Sequence, residues 1–193
     1  MLLPRSLMTE RLQLCIPGPA EAPAILTYFE RNRGHLTPWD PPRPAGFYTL
    51  AFWRGRIDQN LEAAQRGTAG RYFLIRRDRD PGSQNRVIGT CNFSNIVDAA
   101  FQACHLGYGL DEQAVGHGFM LETLSALMPA VMQKRRLHRV MANYIPSNTR
   151  SARLLERLGF EIEGRAPKYL FIDGKWQDHV LTAFVRDSPG LVE

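Results

Sequence analysis

The most constraining feature of this sequence is segment 113–118, Gln-Ala-Val-Gly-His-Gly, between an apolar run over residues 103–110 and a helical pattern beginning near His117. This order predicts a strand, a glycine-containing loop and a helix N-terminus. The first backbone N–H groups of a helix have no intrahelical partner, and the macrodipole places partial positive charge there. Because Gly116 and Gly118 lack a Cβ, the loop backbone can approach an anion closely. The segment therefore predicts an anion-binding site.

Two well-known nucleotide-binding motifs do not fit this segment. A P-loop closes with Gly-Lys followed by Ser or Thr, and the chain contains no such triplet. The dinucleotide fingerprint has a third glycine where this chain has Leu121, and it normally follows the first strand of its fold. Glycine pairs also occur at ordinary strand-to-helix turns, so the spacing alone leaves a purely structural role open.

The composition is typical of one globular domain, which we expect over residues 1–193 with its core over residues 9–185. No run approaches the ~18 consecutive apolar residues of a membrane span, and the N-terminus does not resemble a signal peptide. Three cysteines in no metal-binding spacing predict free thiols, a cytoplasmic location and no metal site. The net charge of +5 fits an acidic partner, such as a phosphorylated cofactor or an RNA-bearing particle, and equally fits an ordinary basic cytosolic protein. No motif for sequence-specific nucleic-acid binding is present.

Hydrophobic periodicity predicts an α/β fold built on a mixed sheet. The predicted order is β-α-α-β-β-β-α-β-α-β-β, with the glycine loop after the fourth strand. We expect strands over residues 9–16, 72–76, 86–94, 103–110, 138–145, 160–163, 169–172 and 176–185. We expect helices over residues 20–32 and 47–65, from 117 onward, and between Asn148 and Gly159.

Turn and cap residues mark several of these boundaries. Asp173-Gly174 predicts a β-hairpin, and residues 78–85 predict a turn rich in Asp, Pro and Gly. Asn148 fits a helix N-cap and Gly159 the C′ position of the same helix. Pro129 interrupts the helical pattern that follows the glycine loop, so we expect a kink there or an earlier helix end.

Several separated motifs in this order resemble those of the GNAT acetyltransferase family. The glycine loop resembles the family's pyrophosphate loop, and residues 148–160 resemble the helix and exit turn after its fifth strand. A narrower resemblance, to the branch that acetylates the N-terminal alanine of a small-subunit ribosomal protein, covers about residues 9–182. It rests on the motifs Pro38-Trp39-Asp40-Pro41, Asn92-Phe93-Ser94-Asn95, Ala103-Cys104-His105-Leu106-Gly107-Tyr108, Met141-Ala142-Asn143-Tyr144 and Ile172-Asp173-Gly174-Lys175-Trp176.

The resemblance implies acetyl-CoA as cosubstrate and places it on the strand and loop. The backbone at residues 108–110 would pair with the pantetheine arm and donate an N–H to the thioester carbonyl. The loop N–H groups of residues 115–118 would hold the diphosphate, and helix arginines would meet the 3′-phosphate, although exposed arginines usually contact only water. The implied cofactor-binding residues are Tyr108, Gly109, Leu110, Gln113, Val115, Gly116, His117, Gly118, Asn148, Ser151 and Arg153.

The resemblance also implies roles near the thiol. Asn143 or Asn148 would contact the pantetheine arm or thiol, and Ser151 would protonate the leaving thiolate; capping of the helix explains Asn148 and Ser151 equally well. The base is open, because an α-amine with a pKa near 7.8 loses its proton at pH 7 for only about 1 kcal/mol. Candidates are Asp40, His105, Tyr169, Asp178 and a water relay. The catalytic set that we expect is Ser151, Asn143, Tyr169 and Asp40.

These features predict an acetyl-CoA-dependent N-acetyltransferase that acts by direct attack of a protein N-terminal α-amine, Ala or Ser, on a ribosomal protein. Two alternatives remain: a small-molecule amine acetyltransferase, and a ribosome-associated module that binds acetyl-CoA without turnover. Acidic residues lining the acceptor groove would favour polyamines or aminoglycosides, whereas an apolar pocket closed by Trp39 and Trp53 would favour a peptide end. We expect a monomer or homodimer that contacts no membrane.

Overall fold

A computed structural model of the protein describes residues 2–78 and 86–186. The strands are β1 (Ser6–Met8), β2 (Leu12–Cys15), β3 (Gly70–Arg76), β4 (Val87–Val97), β5 (Ala103–Leu110), β6 (Arg139–Met141), β7 (Glu161–Ile172) and β8 (Lys175–Val185). The α-helices are α1 (Ala22–Arg31), α2 (Arg33–Leu36), α3 (Leu50–Arg66), α4 (Phe119–Arg135) and α5 (Thr149–Arg157). In these two ranges no helix combines the length and the hydropathy needed to cross a bilayer.

The strands form one eight-stranded sheet in the order β1-β2-β3-β4-β5-β6-β8-β7. The β5–β6 pair is parallel and every other neighbouring pair is antiparallel. Helices pack on both faces, so β3 is buried on both sides: Tyr72 and Leu74 belong to the core that contains α4, and Phe73 and Ile75 to the core that contains α1. This arrangement confirms the predicted α/β fold with a mixed sheet.

The predicted strand over residues 9–16 was wrong as a single element, because the chain forms a hairpin there. The Thr9 backbone N–H donates to the Leu12 carbonyl at 2.9 Å, and the Leu12 N–H donates to Thr9 Oγ1 at 3.1 Å. This side-chain turn reverses the chain between β1 and β2. The predicted inward face is confirmed, since Leu12, Leu14 and Ile16 are all buried.

Helix α4 starts at Phe119, two residues after the predicted start, because Gly118 takes a left-handed conformation with φ of +79° as its N-cap. The helix continues through Pro129 to Arg135, so an earlier end was wrong. Proline removes the N–H that would bond the carbonyl of Ser125. Because Ser125 and Pro129 are both exposed, water can satisfy that carbonyl.

The C-terminal strands differ most from prediction. The predicted strand over residues 138–145 is only three residues long as β6, followed by an isolated bridge between Tyr144 and Val180. The two predicted strands over residues 160–163 and 169–172 are parts of one strand, β7, whose register with β8 shifts at two points. The predicted hairpin turn is confirmed, with φ of +50° at Asp173 and +75° at Gly174.

The two N-terminal helices are shifted by up to three residues from the predicted ranges 20–32 and 47–65. The predicted cap is confirmed, because Asn148 Oδ1 accepts the N–H of Ser151 at 3.1 Å. Gly159, with φ of +81°, follows the end of α5 as expected. In the predicted turn over 78–85, residues 79–85 lie outside the described residues.

Candidate active site

A slot with the width of one strand lies along residues 106–110 of β5. On one edge, β4 pairs with β5 from Ala103 to Leu110. On the other edge, β6 pairs with β5 only as far as His105, which lies opposite Met141. Among the described residues, no strand occupies the second edge of residues 106–110. Unpaired backbone groups of this kind can bind an extended ligand as a neighbouring strand would.

The glycine loop leads from this edge into α4. Asp111 caps a short 3-10 turn, and Gly116 and Gly118 take φ values of +88° and +79°. A Cβ built on Gly116 meets no atom within 4 Å, so the loop is open above this residue. The Val115 N–H was expected to face the ligand, but it donates to the Glu112 carbonyl at 3.3 Å. The turn therefore already uses this donor, and its contact with a ligand stays a prediction.

A buried carboxylate holds the start of the loop. Asp111 is 5% exposed, and its Oδ2 accepts from Arg31 Nε at 2.6 Å and from Asn32 Nδ2 at 3.1 Å. Its Oδ1 accepts the Gln113 N–H, and Asn32 Oδ1 accepts the Glu112 N–H, both at 2.9 Å. Burial alone would raise the pKa of Asp111, but the bonds from Asn32, Arg31 and Gln113 lower it. The end of α1 thus fixes the loop entrance.

A second ion pair holds the loop exit. Arg11 Nε donates to Glu122 Oε2 at 2.7 Å, and Arg11 Nη1 donates to the His117 carbonyl at 2.9 Å. Thr9 Oγ1 donates to Glu122 Oε1 at 2.6 Å, and the Arg11 guanidinium lies 4.3 Å from the centre of the Phe119 ring. Because both ends are anchored, the loop backbone is positioned before any ligand binds.

Two hydroxyls meet across the slot. The Tyr108 hydroxyl on β5 lies 2.6 Å from Ser151 Oγ in the first turn of α5. Burial raises the pKa of Tyr108 to about 12, against the opposing effect of the Ser151 hydrogen bond, so this hydroxyl stays protonated at neutral pH. Asn148 holds the Ser151 backbone in place through the cap. The structure therefore brings the expected residues Ser151 and Asn148 together with the Tyr108 side chain.

A second polar cluster lies on the β8 side. Asn143 Nδ2 donates to the Tyr169 hydroxyl at 3.2 Å, and the Tyr169 ring lies 5.2 Å from that of buried His179. Asp178 accepts the Lys168 N–H at 2.8 Å, at the register shift in β7. Asp178 therefore stabilises an irregular strand, which was the alternative to its role as a base.

A pocket of about 330 Å³ opens on the face of the sheet that carries α1 and α3. Two buried polar atoms in its lining, Tyr28 Oη and Asn92 Oδ1, have no hydrogen-bond partner among the described residues. Such an unpaired group costs roughly 1–3 kcal/mol, which a bound ligand can recover. Tyr28 Oη lies 3.5 Å from the point where Gly109 would carry a Cβ, next to the slot. Tyr108 lines the pocket too, so pocket and slot meet at this residue.

The charge of the pocket is positive. Its charged lining residues are Asp40, Arg43, Arg56 and Arg71, and Asp40 forms an ion pair with Arg43. Burial raises the pKa of Asp40, although Arg43 and Arg71 oppose the shift. Burial, helped by the charges of Arg56 and Arg43, lowers the pKa of Arg71 to about 10. Among the described residues, the pocket lining thus holds three arginines and one carboxylate.

The two tryptophans whose closure of an apolar pocket would have favoured a peptide end are not part of this lining. Trp53 is fully buried in the core, stacked on Phe29 at 4.6 Å between ring centres. Trp39 is 38% exposed and is not part of the lining. His105 also lies outside the lining; it faces Asn95 Nδ2 at 3.5 Å, and burial lowers its pKa.

The remaining expected ligand groups are on the surface. Gln113 and His117 are exposed at the loop, and Arg153 is exposed on α5. In residues 2–78 and 86–186, no group of three or more His, Cys, Asp or Glu side chains is arranged to hold a metal ion.

Comparison with known proteins identifies the family to which this site belongs. The family described as "Acetyltransferase (GNAT) domain" matches residues 11–161, more than half of the chain. The chain belongs to the GNAT acetyltransferases. GNAT membership and relatives named as N-acetyltransferases identify the protein as an acyltransferase.

Curated GNAT relatives cover almost the whole chain. The "[Ribosomal protein uS5]-alanine N-acetyltransferase" of Escherichia coli is 41% identical over 92% of this chain and 89% of its own length. A probable N-acetyltransferase, YjcK, of Bacillus subtilis is 30% identical over 80% of this chain and 82% of its own. The crystal structure of the ribosomal-protein-S5-alanine acetyltransferase of Vibrio fischeri matches with a TM-score of 0.88 and 37% identity, covering 95% of this chain and 97% of that one.

The structure adds groups to this GNAT site that the sequence patterns did not indicate. Tyr108 was expected to contribute its backbone, but its side chain also reaches Ser151. Tyr28 and Arg71 lie far from the loop in sequence and enter the pocket only through the packing of α1 and β3 on the sheet. Strand alternation could have placed Tyr108 on the face of Cys104 and Leu106, but no sequence signal paired it with α5.

Proposed function

We propose that the protein transfers the acetyl group of acetyl-CoA to the N-terminal α-amine of a ribosomal protein, with alanine as the preferred terminal residue. The observation that carries this proposal is the position of Tyr108. This residue borders the slot on β5, meets Ser151 at 2.6 Å and lines the pocket on the opposite side. A cosubstrate in the slot and an amine in the pocket would therefore meet beside one residue.

The proposed acetyl-CoA-binding residues lie along the slot and in the glycine loop. The backbone of Tyr108, Gly109 and Leu110 would pair with the pantetheine arm and polarise the thioester carbonyl. The N–H groups of residues 116–118, with the side chain of Gln113, would bind the diphosphate at the N-terminus of α4. Each hydrogen bond to a charged acceptor contributes roughly 1.5–3 kcal/mol, so three loop donors supply a useful part of the affinity. Arg153 is assigned to the 3′-phosphate.

Acetyl transfer forms a C–N bond to the acceptor, breaks the C–S bond and requires one proton to reach the thiolate. In the proposal, Ser151 Oγ donates that proton. Tyr108, still protonated at neutral pH, returns a proton to Ser151 through their short contact and regains one from solvent water, while the proton taken from the amine is released to solvent. Asn148 keeps Ser151 oriented by capping α5, and it can also contact the pantetheine arm.

The acceptor nitrogen must lose a proton as it attacks. Asp40 is assigned to accept this proton, directly or through water, because its carboxylate lines the pocket and burial raises its pKa. Asn92 Oδ1, a buried acceptor without a partner, is assigned to orient the amine N–H. Asn143 and Tyr169, which lie on the β8 side of the site, are assigned to hydrogen-bond the backbone of the acceptor. A lysine amine would need about 4.6 kcal/mol for deprotonation at pH 7, against about 1 kcal/mol for an α-amine.

The choice of acceptor rests on the relatives. The relative at 41% identity and the solved structure at 37% are both named for the alanine of ribosomal protein S5. A more distant E. coli relative, 27% identical over 70% of this chain, is named a ribosomal-protein-serine acetyltransferase. Alanine is therefore proposed as the first acceptor, with serine as a second.

A small-molecule amine is the second candidate, and the pocket charge limits its class. Three arginines and one aspartate repel polyamines and aminoglycosides, which are polycations at neutral pH. Within residues 2–78 and 86–186, the pocket lining lacks the several acidic side chains that would have favoured such acceptors. The remaining small-molecule candidates are amines that carry a negative charge.

The experiment measures acetyl-CoA-dependent release of free CoA thiol. One peptide begins with a free alanine; its matched control has a blocked N-terminus and an internal lysine, and spermidine is a third acceptor. We expect turnover on the free-alanine peptide alone. Turnover on spermidine above that on the peptide would contradict the proposal. Absence of turnover on all three, with acetyl-CoA still raising the melting temperature, would instead identify a non-catalytic binding module.

A further inference from the structure

The arginines of the pocket are not equivalent. Arg43 is neutralised by Asp40, and its guanidinium lies over the rings of Phe47 and Phe29, at 4.4 and 5.0 Å from their centres. Arg56 and Arg71 have no carboxylate within ion-pair distance among the described residues. The pocket therefore carries two positive charges without a matching negative charge in the described structure.

Arg71 is held in a fixed position on the pocket floor. Its backbone exchanges two hydrogen bonds with the Asn60 side chain, both at 2.8 Å, which fixes the start of β3 against α3. Across the sheet, Arg71 pairs with Asn92, and Asn92 pairs with Gly107. Cross-strand partners point to the same face, so these residues form one row from the slot to the guanidinium. A Cβ on Gly107 would meet nothing within 4 Å, so this end of the row is open.

The length of this row sets which part of an acceptor reaches the arginines. Gly107 and Arg71 are two strands apart, about 10 Å, and an extended peptide covers about 10 Å in three residues. If the acceptor nitrogen lies at the Gly107 end of the row, beside the slot, the side chains of residues two to four lie near Arg71 and Arg56. A guanidinium favours a carboxylate there, since its N–H donors match the two oxygens.

We infer that Arg56 and Arg71 form a subsite for a carboxylate carried by the acceptor within its first four residues. This inference rests on the proposed function and specifies its substrate as a peptide with an acidic side chain close to the free α-amine. The same charges disfavour lysine or arginine at these positions. The two guanidinium groups also lower the pKa of a nearby ammonium, which favours the neutral amine that attacks.

The test uses peptides that begin with alanine and carry Glu, Gln or Lys at position two, three or four. The measured quantity is the ratio of kcat/KM for the Glu peptide to that for the Gln peptide, which does not depend on the fraction of active enzyme. For the wild type we expect a ratio of at least ten at one position and a Lys peptide poorer than the Gln peptide. In Arg56→Gln and Arg71→Gln the ratio should fall towards one.

Two further variants complete the test. Arg54→Gln changes an exposed arginine on the same helix that is not part of the pocket lining, and it should keep the wild-type ratio. Arg56→Glu, at an exposed position, should reverse the preference towards the Lys peptide, even if Arg71→Gln fails to fold. Equal turnover of Glu and Gln peptides by the wild type overturns the inference and leaves the proposed function intact. Turnover of none of these peptides contradicts the proposed function itself.

Discussion

The hydroxyls of Tyr108 and Ser151 lie 2.6 Å apart and connect β5 to α5 where β5 has lost its pairing with β6. Tyr108 is half-buried, and burial raises its pKa to about 12. Its hydroxyl therefore stays protonated at neutral pH. A serine hydroxyl alone is a weak acid. In the proposed reaction, the short contact with protonated Tyr108 gives Ser151 a route for proton replacement after each turnover.

The two hydroxyls should act as one unit. Ser151→Ala is expected to lower kcat by about 10²-fold, because general acids contribute 10²–10⁴-fold. Tyr108→Phe should lower kcat by a smaller factor, and the double variant should resemble Ser151→Ala alone. Steady-state kinetics with saturating acetyl-CoA give these values. Ser147→Ala, at an exposed turn, is the matched control; additive losses in the double variant would show that the hydroxyls act independently.

The loop glycine at position 116 should be needed for its backbone conformation. Its φ of +88° is strained for any residue with a Cβ, at roughly 1–2 kcal/mol. Gly116→Ala is therefore expected to weaken acetyl-CoA binding by about 5- to 30-fold, measured by titration calorimetry. Gly55→Ala, in α3 where a Cβ meets nothing within 4 Å, should leave the affinity unchanged. Unchanged affinity in Gly116→Ala would mean that the loop bends without cost.

Asp111 should make stability depend on pH. Its folded pKa is lowered, so its contribution is complete above the unfolded value of about 3.9 and is lost as the pH falls through the folded pKa. Asp111→Asn is expected to lower the free energy of unfolding at pH 7 by about 2–3 kcal/mol. Below about pH 4 the difference between the two proteins should begin to shrink, and it should continue to shrink as the pH falls further. Denaturant unfolding across pH 3–8 measures both effects.

The control for this prediction is a surface ion pair. Asp98 lies 2.7 Å from Arg135 but is largely exposed, so Asp98→Asn should change the free energy of unfolding by less than about 1 kcal/mol. A difference between wild type and Asp111→Asn that stays constant down to pH 3 would count against the role of the carboxylate charge. Glu122, whose pKa is also lowered, should leave some acid dependence in both proteins.

The three cysteines should be unreactive in the folded protein. Cys15, Cys91 and Cys104 are buried and form no disulfide, and burial raises the pKa of Cys15 to about 11 and that of Cys104 to about 12. Because the thiolate is the reactive form, iodoacetamide should neither label nor inactivate the native enzyme at pH 7.5. All three thiols should react in denaturant. Rapid inactivation with labelling of one cysteine would indicate a thiol in the reaction, contrary to direct attack.

Local sequence signals were enough for the elements that form the proposed cofactor side of the site. The apolar run over residues 103–110 matches both bounds of β5, and Asn148 and Gly159 mark the two ends of α5. The glycines at 116 and 118 take the left-handed conformations that their residue type permits. These features depend on neighbouring residues only, which a linear pattern records.

The acceptor side could not be predicted in the same way. The pocket combines Tyr28 from α1, Arg71 from β3 and Asn92 from β4, and their proximity depends on strand register and helix packing. Trp53, one of the two tryptophans that would have closed an apolar acceptor pocket, instead lies in the core, where α3 places it against Phe29. The turn at Thr9 was missed because one hydrogen-bonding side chain outweighed an alternating apolar pattern.

The short β6 strand has a consequence for how ligand binding and folding are linked. Only three residue pairs join β5 to β6, so the sheet is nearly divided into a larger sheet of β1 to β5 and a smaller one of β6 to β8. In the proposed complex, the pantetheine arm lies where a longer β6 would have been and completes the missing part of the sheet. In that complex the cosubstrate takes the place of a strand. Each release of product would then return the protein to the state in which only three residue pairs join the two parts of the sheet.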